Sequence, residues 1–266
     1  MRMLDLFSGI GGFAVAAQWV WGSSLDIAAF CEIEEFPRKV LRKNFPGVPI
    51  EKDIKEMNGY DYRPIDLLTG GFPCQPFSQA GKQKGAADDR HLWPEMLRII
   101  EEVTPRYILG ENVPGIKNME LDNIITDLED RGYTTEQYII PAAAIGAPHR
   151  RDRIWILGYA ASNHKQWDRI FKKRPEVTIR GSDSLRNATH TDTGGLEGSK
   201  NKEKKQFATH RNTWYKFPTQ SPVCGGNDGL PNRVDRVKSL GNAIVPQVAA
   251  VLLGGIARVE EALHQE

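Results

Sequence analysis

Cysteine is scarce in this chain of 266 residues: Cys31, Cys74 and Cys224 stand far apart, and no CxxC pair occurs. That spacing supplies neither a disulfide framework nor a structural zinc site, and no metal ligand set is read from the sequence. Long apolar runs are missing too. None approaches the ~18 residues needed to cross a bilayer, and the start Met1-Arg-Met-Leu-Asp5 is no secretory signal. The expectation is a cytoplasmic, monomeric protein with no membrane partner. Net charge is nearly absent, at +1 with 35 Lys+Arg against 34 Asp+Glu, so any nucleic-acid surface must be concentrated in one region. No internal repeat is visible. What is present is an ordinary soluble composition, 40% hydrophobic and 26% charged, in a length that fits one large domain or one domain carrying a small insertion.

Along residues 1–161, short apolar segments alternate with helical ones. Strands are expected at 3–7, 27–31, 65–69, 107–109 and 153–159, and helices at 13–21, 36–44, 95–103 and 121–131. Strands separated by helices of this length predict βαβ units and a parallel sheet, hence an α/β fold. Residues 162–232 are polar and weakly periodic, and between Lys165 and Arg211 they hold twelve Lys/Arg against six Asp/Glu. Composition alone leaves two readings open there, a solvated and partly disordered insertion or a basic, DNA-facing segment. Apolar periodicity returns at 243–263, a long helix that must pack on something large, so residues 233–266 are expected to return to the first domain.

Asp5-Leu-Phe-Ser-Gly-Ile-Gly-Gly12 closes a strand and opens a helix. Glycine lets a backbone approach a ligand closely, and a helix start favours a negative group. Gly9-x-Gly11-x-x-Ala14 meets a relaxed dinucleotide pattern, with Glu32 at a suitable distance onward for a ribose hydroxyl. The pattern indicates a nucleotide-like cofactor and leaves NAD and S-adenosylmethionine both open, as it does a tight turn with no ligand.

Gly70-Gly-Phe-Pro-Cys-Gln-Pro-Phe-Ser78 sets Cys74 between prolines, in a loop after the strand at 65–69. That is the carboxyl edge of the sheet, where open α/β proteins bind ligands. A lone cysteine is more often a small buried hydrophobe. Here the turn residues around it, and Gly81-Lys-Gln-Lys-Gly85 after it, argue for exposure. Hydride transfer has no evident use for this loop.

Together with Glu111-Asn112-Val113, Arg151-x-Arg153 and Gly241-Asn242, these segments resemble the ordered motif set of the cytosine-C5 DNA methyltransferases, over residues 3–158 and 233–256. The resemblance implies a Rossmann-like class I methyltransferase sheet with a small, irregular target-recognition domain. Residues 1–161 would be the catalytic and cofactor-binding domain, 162–232 the target-recognition region, and 233–266 a segment packing back on the catalytic domain. The implied activity is methyl transfer from S-adenosylmethionine to carbon 5 of cytosine in a specific double-stranded DNA sequence. Such a base lies inside the duplex stack and must be flipped out. A partner restriction endonuclease is an open possibility on the same grounds.

By resemblance, Cys74 is the nucleophile that adds to cytosine carbon 6, the thiolate being the active form. Glu111 would protonate or hydrogen-bond the ring nitrogen; standing alone it would read as a helix-cap carboxylate. Arg151 and Arg153 alternate along a strand, which points both to one face. They resemble the arginine pair that orients the base and the catalytic loop, against a plainer reading as an edge-strand charge pair. Phe7 would stack on adenine, Glu32 hold the ribose hydroxyls, Asp53 reach the adenine amino group and Asn242 hold the methionine part. Gly9, Ile10, Gly12, Ile33, Ile54, Gly71, Pro73 and Leu92 would complete the cofactor site. Residues 78–90, with Gly81 and Gly85 as hinges, read as a lid over the flipped base. Two positions depart from the family pattern: His149 stands where glutamine is common, and Ala243 where serine often stands. Alternatives are the tRNA-methylating branch, whose Cys-Phe-Thr tripeptide is absent here, a catalytically silent DNA-binding relative, and a nicotinamide dehydrogenase.

Overall fold

A computed structural model of the chain describes residues 1–73, 92–118, 120–160 and 233–263. Its elements in chain order are β1 (Arg2–Leu6), α1 (Gly12–Trp21), β2 (Asp26–Cys31), α2 (Glu35–Asn44), β3 (Ile50–Glu51), β4 (Leu67–Gly70), α3 (Trp93–Val103), β5 (Tyr107–Asn112), α4 (Leu121–Glu129), β6 (Tyr133–Pro141), β7 (Asp152–Ala160), α5 (Arg233–Asn242) and α6 (Pro246–Leu263). The strands form one seven-stranded sheet in the order β3-β2-β1-β4-β5-β7-β6. The α/β architecture expected from the sequence is present.

The sheet is not wholly parallel, which corrects the sequence reading. β1 to β5 run parallel, whereas β7 lies antiparallel between β5 and β6. β6 enters β7 through residues 142–151, which hold only a 3-10 turn at Ala142–Ile145, and a connection that short returns the chain antiparallel. β6 itself escaped notice because Thr134, Thr135, Glu136 and Gln137 interrupt its apolar pattern on a half-buried strand.

Period-two alternation places successive side chains on opposite faces, and both faces are covered. Leu4, Leu68, Ile108 and Ile156 meet Met96, Ile100 and Ile124 of α3 and α4. Met3, Leu67, Tyr107, Leu109 and Trp155 meet Phe13, Ala16 and Ala17 of α1 and Val248, Leu253 and Ile256 of α6. Glu260 ties α6 to β5 by accepting from the Tyr107 hydroxyl at 2.6 Å and pairing with Arg106.

The helix expected at 243–263 is present but begins at Pro246, and a further helix, α5, precedes it. Proline cannot donate a backbone hydrogen bond inside a helix but suits its first turn, so Pro246 opens α6 and leaves 243–245 as a linker. By length and composition Val234–Leu263 is apolar enough to cross a membrane, but it is broken at 243–245, and Leu253 and Ile256 of α6 are wholly buried against the sheet.

Candidate functional site

A cavity of about 430 Å³ is lined by residues following β1 (Phe7, Gly9), β2 (Glu32, Ile33) and β4 (Gly71, Pro73), by Glu111 and Asn112 at the end of β5, and by α5. These are carboxyl ends of neighbouring parallel strands, where loops diverge and leave a crevice. Asp53, Ile54, Leu92 and Asn242 line it as well, and so does Arg153. Ile10, Gly12 and Arg151 are not among its lining residues. The expected nucleophile Cys74, the lid at 78–90 and the region 162–232 lie outside the described residues.

The glycine loop is a tight turn in which the Gly9 and Gly11 donors are already used. Phe7, Gly9 and Gly11 all have positive φ, at 52°, 52° and 88°, a conformation glycine adopts freely and phenylalanine rarely. The Gly9 N–H donates to Glu32 Oε2 at 2.7 Å, and the Gly11 N–H to the Ser8 carbonyl at 2.9 Å. At the start of α1 a Cβ on Gly12 would lie 2.6 Å from Ile244 Cγ1, so the 243–245 linker covers that end. A pyrophosphate needs free N–H groups at an open helix start. The dinucleotide reading therefore does not fit, whereas a phosphate-free adenosine needs no such donors.

Carboxylates dominate the part of the cavity beyond β2. Glu32 is buried and takes a second backbone N–H, from Glu34, at 2.7 Å. Burial raises its pKa, partly offset by those two N–H donors. Each carboxylate oxygen has more than one acceptor site, which leaves capacity for hydroxyl donors. Asp53 accepts the Lys55 N–H at 3.0 Å. Its neighbour Ile54 is fixed through its carbonyl by Arg98 Nη2 at 2.6 Å, while Arg98 Nη1 reaches the Met57 carbonyl at 3.0 Å. Beneath this wall, Asp5 is fully buried, accepts from the Thr69 hydroxyl at 2.6 Å and is pushed up by burial to about 7. Cys31 also lines the cavity, but burial and the nearby Glu32 push its thiol up to about 12. A thiol held neutral is a poor nucleophile.

At the end of β5, Glu111 pairs across the ladder with Trp155 of β7 and its Oε1 lies 2.9 Å from Arg153 Nε. It is a strand residue, so the helix-cap reading is excluded, and β7 is an interior strand, which excludes an edge pair. Burial raises the Glu111 carboxyl to about 6, against the lowering effects of Arg153 and Arg151. Arg151 does not alternate with Arg153 along the strand as expected. β7 begins only at Asp152, Arg151 has φ 39°, and its Nη2 donates to the Gly241 and Ala243 carbonyls at 2.8 and 2.6 Å.

Several lining residues were missed from the sequence. Asn112 is buried, donates to the Phe72 carbonyl at 2.9 Å and accepts the Val113 N–H at 2.8 Å. It thereby fixes the backbone two residues ahead of Cys74, while the Phe72 ring packs on Trp93 of α3, with centroids 5.2 Å apart. Asp235, Lys238 and Ser239 join Asn242 in the cavity wall. Their i, i+3, i+4, i+7 spacing marks one helix face, and it was legible once a helix was placed ahead of Ala243. Lys238 pairs with Glu34 at 2.7 Å across the rim. Among the described residues no group of three His, Cys, Asp or Glu could hold a metal ion.

Comparison with known proteins gives a consistent picture. Residues 1–229 match the family described as C-5 cytosine-specific DNA methylase. The chain is 32% identical over 213 residues to the Type II methyltransferase M.DsaV of Dactylococcopsis salina, covering 77% of this chain and 60% of that one. It is 36% identical over 181 residues to M.NgoMIV of Neisseria gonorrhoeae, covering 65% and 57%. The matched span thus amounts to little more than half the length of these relatives. Among solved structures, the Dnmt2 methyltransferase of S. pombe superposes with a TM-score of 0.53 at 26% identity, over 60% of this chain and 51% of that one.

Proposed function

The chain belongs to the C-5 cytosine-specific DNA methylase family, and on that premise we propose that it methylates carbon 5 of cytosine in a specific double-stranded DNA sequence. The observation that carries the reading is one continuous cavity with two kinds of wall. Glu32, Asp53 and Asn242 line it together with Glu111 and Arg153, and Phe72-Pro73 leads from it to Cys74. S-adenosylmethionine, when bound, supplies an electrophilic methyl group. Glu32 accepts from its ribose hydroxyls, Asp53 from the adenine amino group, Phe7 stacks on the ring and Asn242 holds the amino-acid end.

On the other side, a flipped cytosine meets Cys74, Glu111 and Arg153. Extruding the base costs a few kcal/mol, met by contacts in the pocket. Addition of the Cys74 thiolate to carbon 6 makes carbon 5 nucleophilic, and Glu111 gives a hydrogen bond or proton to the ring nitrogen beside the carbonyl. A carboxyl raised to about 6 keeps a usable proton near neutrality, and such acid catalysis contributes roughly 10²–10⁴-fold. After methyl transfer the carbon 5 hydrogen leaves as a proton and the thiolate is expelled. Residues 162–232, with their concentrated basic charge, serve target choice: phosphate contacts give affinity and base contacts give sequence. The Type II names of the relatives fit a role beside a restriction endonuclease, and a monomer working in the cytoplasm suffices for it.

The test is a duplex with 5-fluorocytosine at the target, since fluorine cannot leave as a cation. On a denaturing gel the wild type forms a covalent band only with S-adenosylmethionine present. Cys74→Ser loses both the band and turnover but keeps DNA affinity, because binding and flipping need no thiolate. A band that persists in the variant, or that maps to Cys31 or Cys224, overturns the mechanism. Labelled-methyl transfer to tRNA instead of DNA overturns the substrate.

A further inference from the structure

Arg151 does not line the cavity, but its guanidinium holds the carbonyls on either side of Asn242, which does. We propose that Arg151 is a positioning residue that holds the 241–244 segment in the shape that completes the cofactor wall, rather than a group that touches the base. The inference rests on the reading of this cavity as an S-adenosylmethionine site and says how one of its walls is kept in place.

The geometry is unusual enough to need a cause. Arg151 adopts φ 39°, a left-handed conformation that costs a non-glycine residue and persists only where the surroundings hold it. What it gains is contact with two carbonyls, Gly241 at 2.8 Å and Ala243 at 2.6 Å, both from Nη2. These carbonyls lie at the end of α5, where the last C=O groups of a helix have no intrahelical partner and a cation is favoured. Asn242, between them, lines the cavity. Ile244, just beyond, is the residue whose Cγ1 sits against Gly12 at the start of α1. One guanidinium thus fixes the angle at which Asn242 enters the cavity and seats Ile244 on the glycine loop. The same cation acts on Glu111 at a distance and lowers its proton affinity, after Arg153.

Two readouts separate this role from direct contact with the base. Calorimetry of S-adenosylmethionine with the DNA-free protein should show Arg151→Ala weakened roughly 10- to 100-fold, the scale for losing hydrogen bonds to a charged group. Removing the cation also favours the neutral carboxyl, so the Glu111 pKa in the pH profile of methyl transfer should move upward. Arg151→Lys keeps a positive charge and restores that pKa while leaving affinity reduced. Hydrogen exchange at residues 241–245 should speed up in both variants, with the sheet amides unchanged, which also reports on whether the variants fold. If Arg151→Ala binds S-adenosylmethionine as the wild type does and loses only kcat, the residue works on the base and the inference is overturned. A wild type that binds no S-adenosylmethionine overturns the functional reading, and this inference with it.

Discussion

Glu111→Gln replaces an ionisable carboxyl by an amide of the same size, and its effect on stability should depend on pH in a calculable way. The carboxyl is lifted from 4.5 to about 6 by burial, against Arg153 and Arg151. It is only 8% exposed, so solvent screening is small. A shift of about 1.5 units corresponds to about 2 kcal/mol at about 1.36 kcal/mol per unit. Because the folded protein holds this proton more tightly than the unfolded chain, the contribution is complete below pH 4.5 and is lost as pH rises through about 6. Glutamine has no such proton. The unfolding free energy of the wild type minus that of the variant should therefore fall by about 1.6 kcal/mol between pH 4.5 and 7. A constant offset, set by replacing the neutral carboxyl with an amide beside Arg153, rides on top and does not alter the slope. Asp5, raised in the same direction to about 7, is common to both proteins and cancels. Urea unfolding at half-unit pH steps measures the difference. A flat difference curve, or one that rises with pH, refutes the assignment of this carboxyl as a buried proton holder.

Gly12→Ala should cost about 1–3 kcal/mol through overpacking on Ile244, offset by up to about 1 kcal/mol of helix propensity. A urea double-mutant cycle with Ile244→Ala should abolish the loss, and equal losses in both backgrounds would refute the contact. Asn112→Ala leaves the Phe72 carbonyl and the Val113 N–H without their partner, at about 1–3 kcal/mol. Single-turnover methyl transfer should then fall further than S-adenosylmethionine affinity by calorimetry; an equal fall in both would mean that Asn112 serves the cofactor wall alone.

Short runs with both faces buried were the most legible part of the fold. Leu4, Leu67, Leu68, Ile108 and Ile156 are apolar whichever way they point, so their strands show without any knowledge of partners. β6 was not legible, because a strand with half-exposed Thr, Glu and Gln carries little of that signal, and with it went the direction of β7. The cavity wall was readable where a residue type is tied to a local turn, as at Gly9 and Glu32. It was unreadable where it depends on a distant return of the chain: nothing near Arg151 announces Gly241, and nothing near Gly12 announces Ile244. Arg151 and Arg153 both act on Glu111, but the strand begins one residue after Arg151, so regular alternation alone does not describe the pair. Asn112 was in view as a motif member, but its bond to Phe72 appears only when β4 and β5 lie side by side.

The order in which the ribosome makes these elements has a consequence of its own. The apolar face formed by Met3, Leu67, Leu109 and Trp155 is complete once β7 has emerged, yet half of its cover is α6, which follows more than eighty residues later. At about 5–20 residues per second, that face waits roughly 4–17 s for its second helix. During that interval α1 packs on one flank only, and Phe13, Ala16 and Ala17 face water where Val248 and Leu253 will later sit. Synthesis of this protein therefore passes through a nascent stage with a bare greasy surface, the kind that holdase chaperones shield, and the final helix closes it.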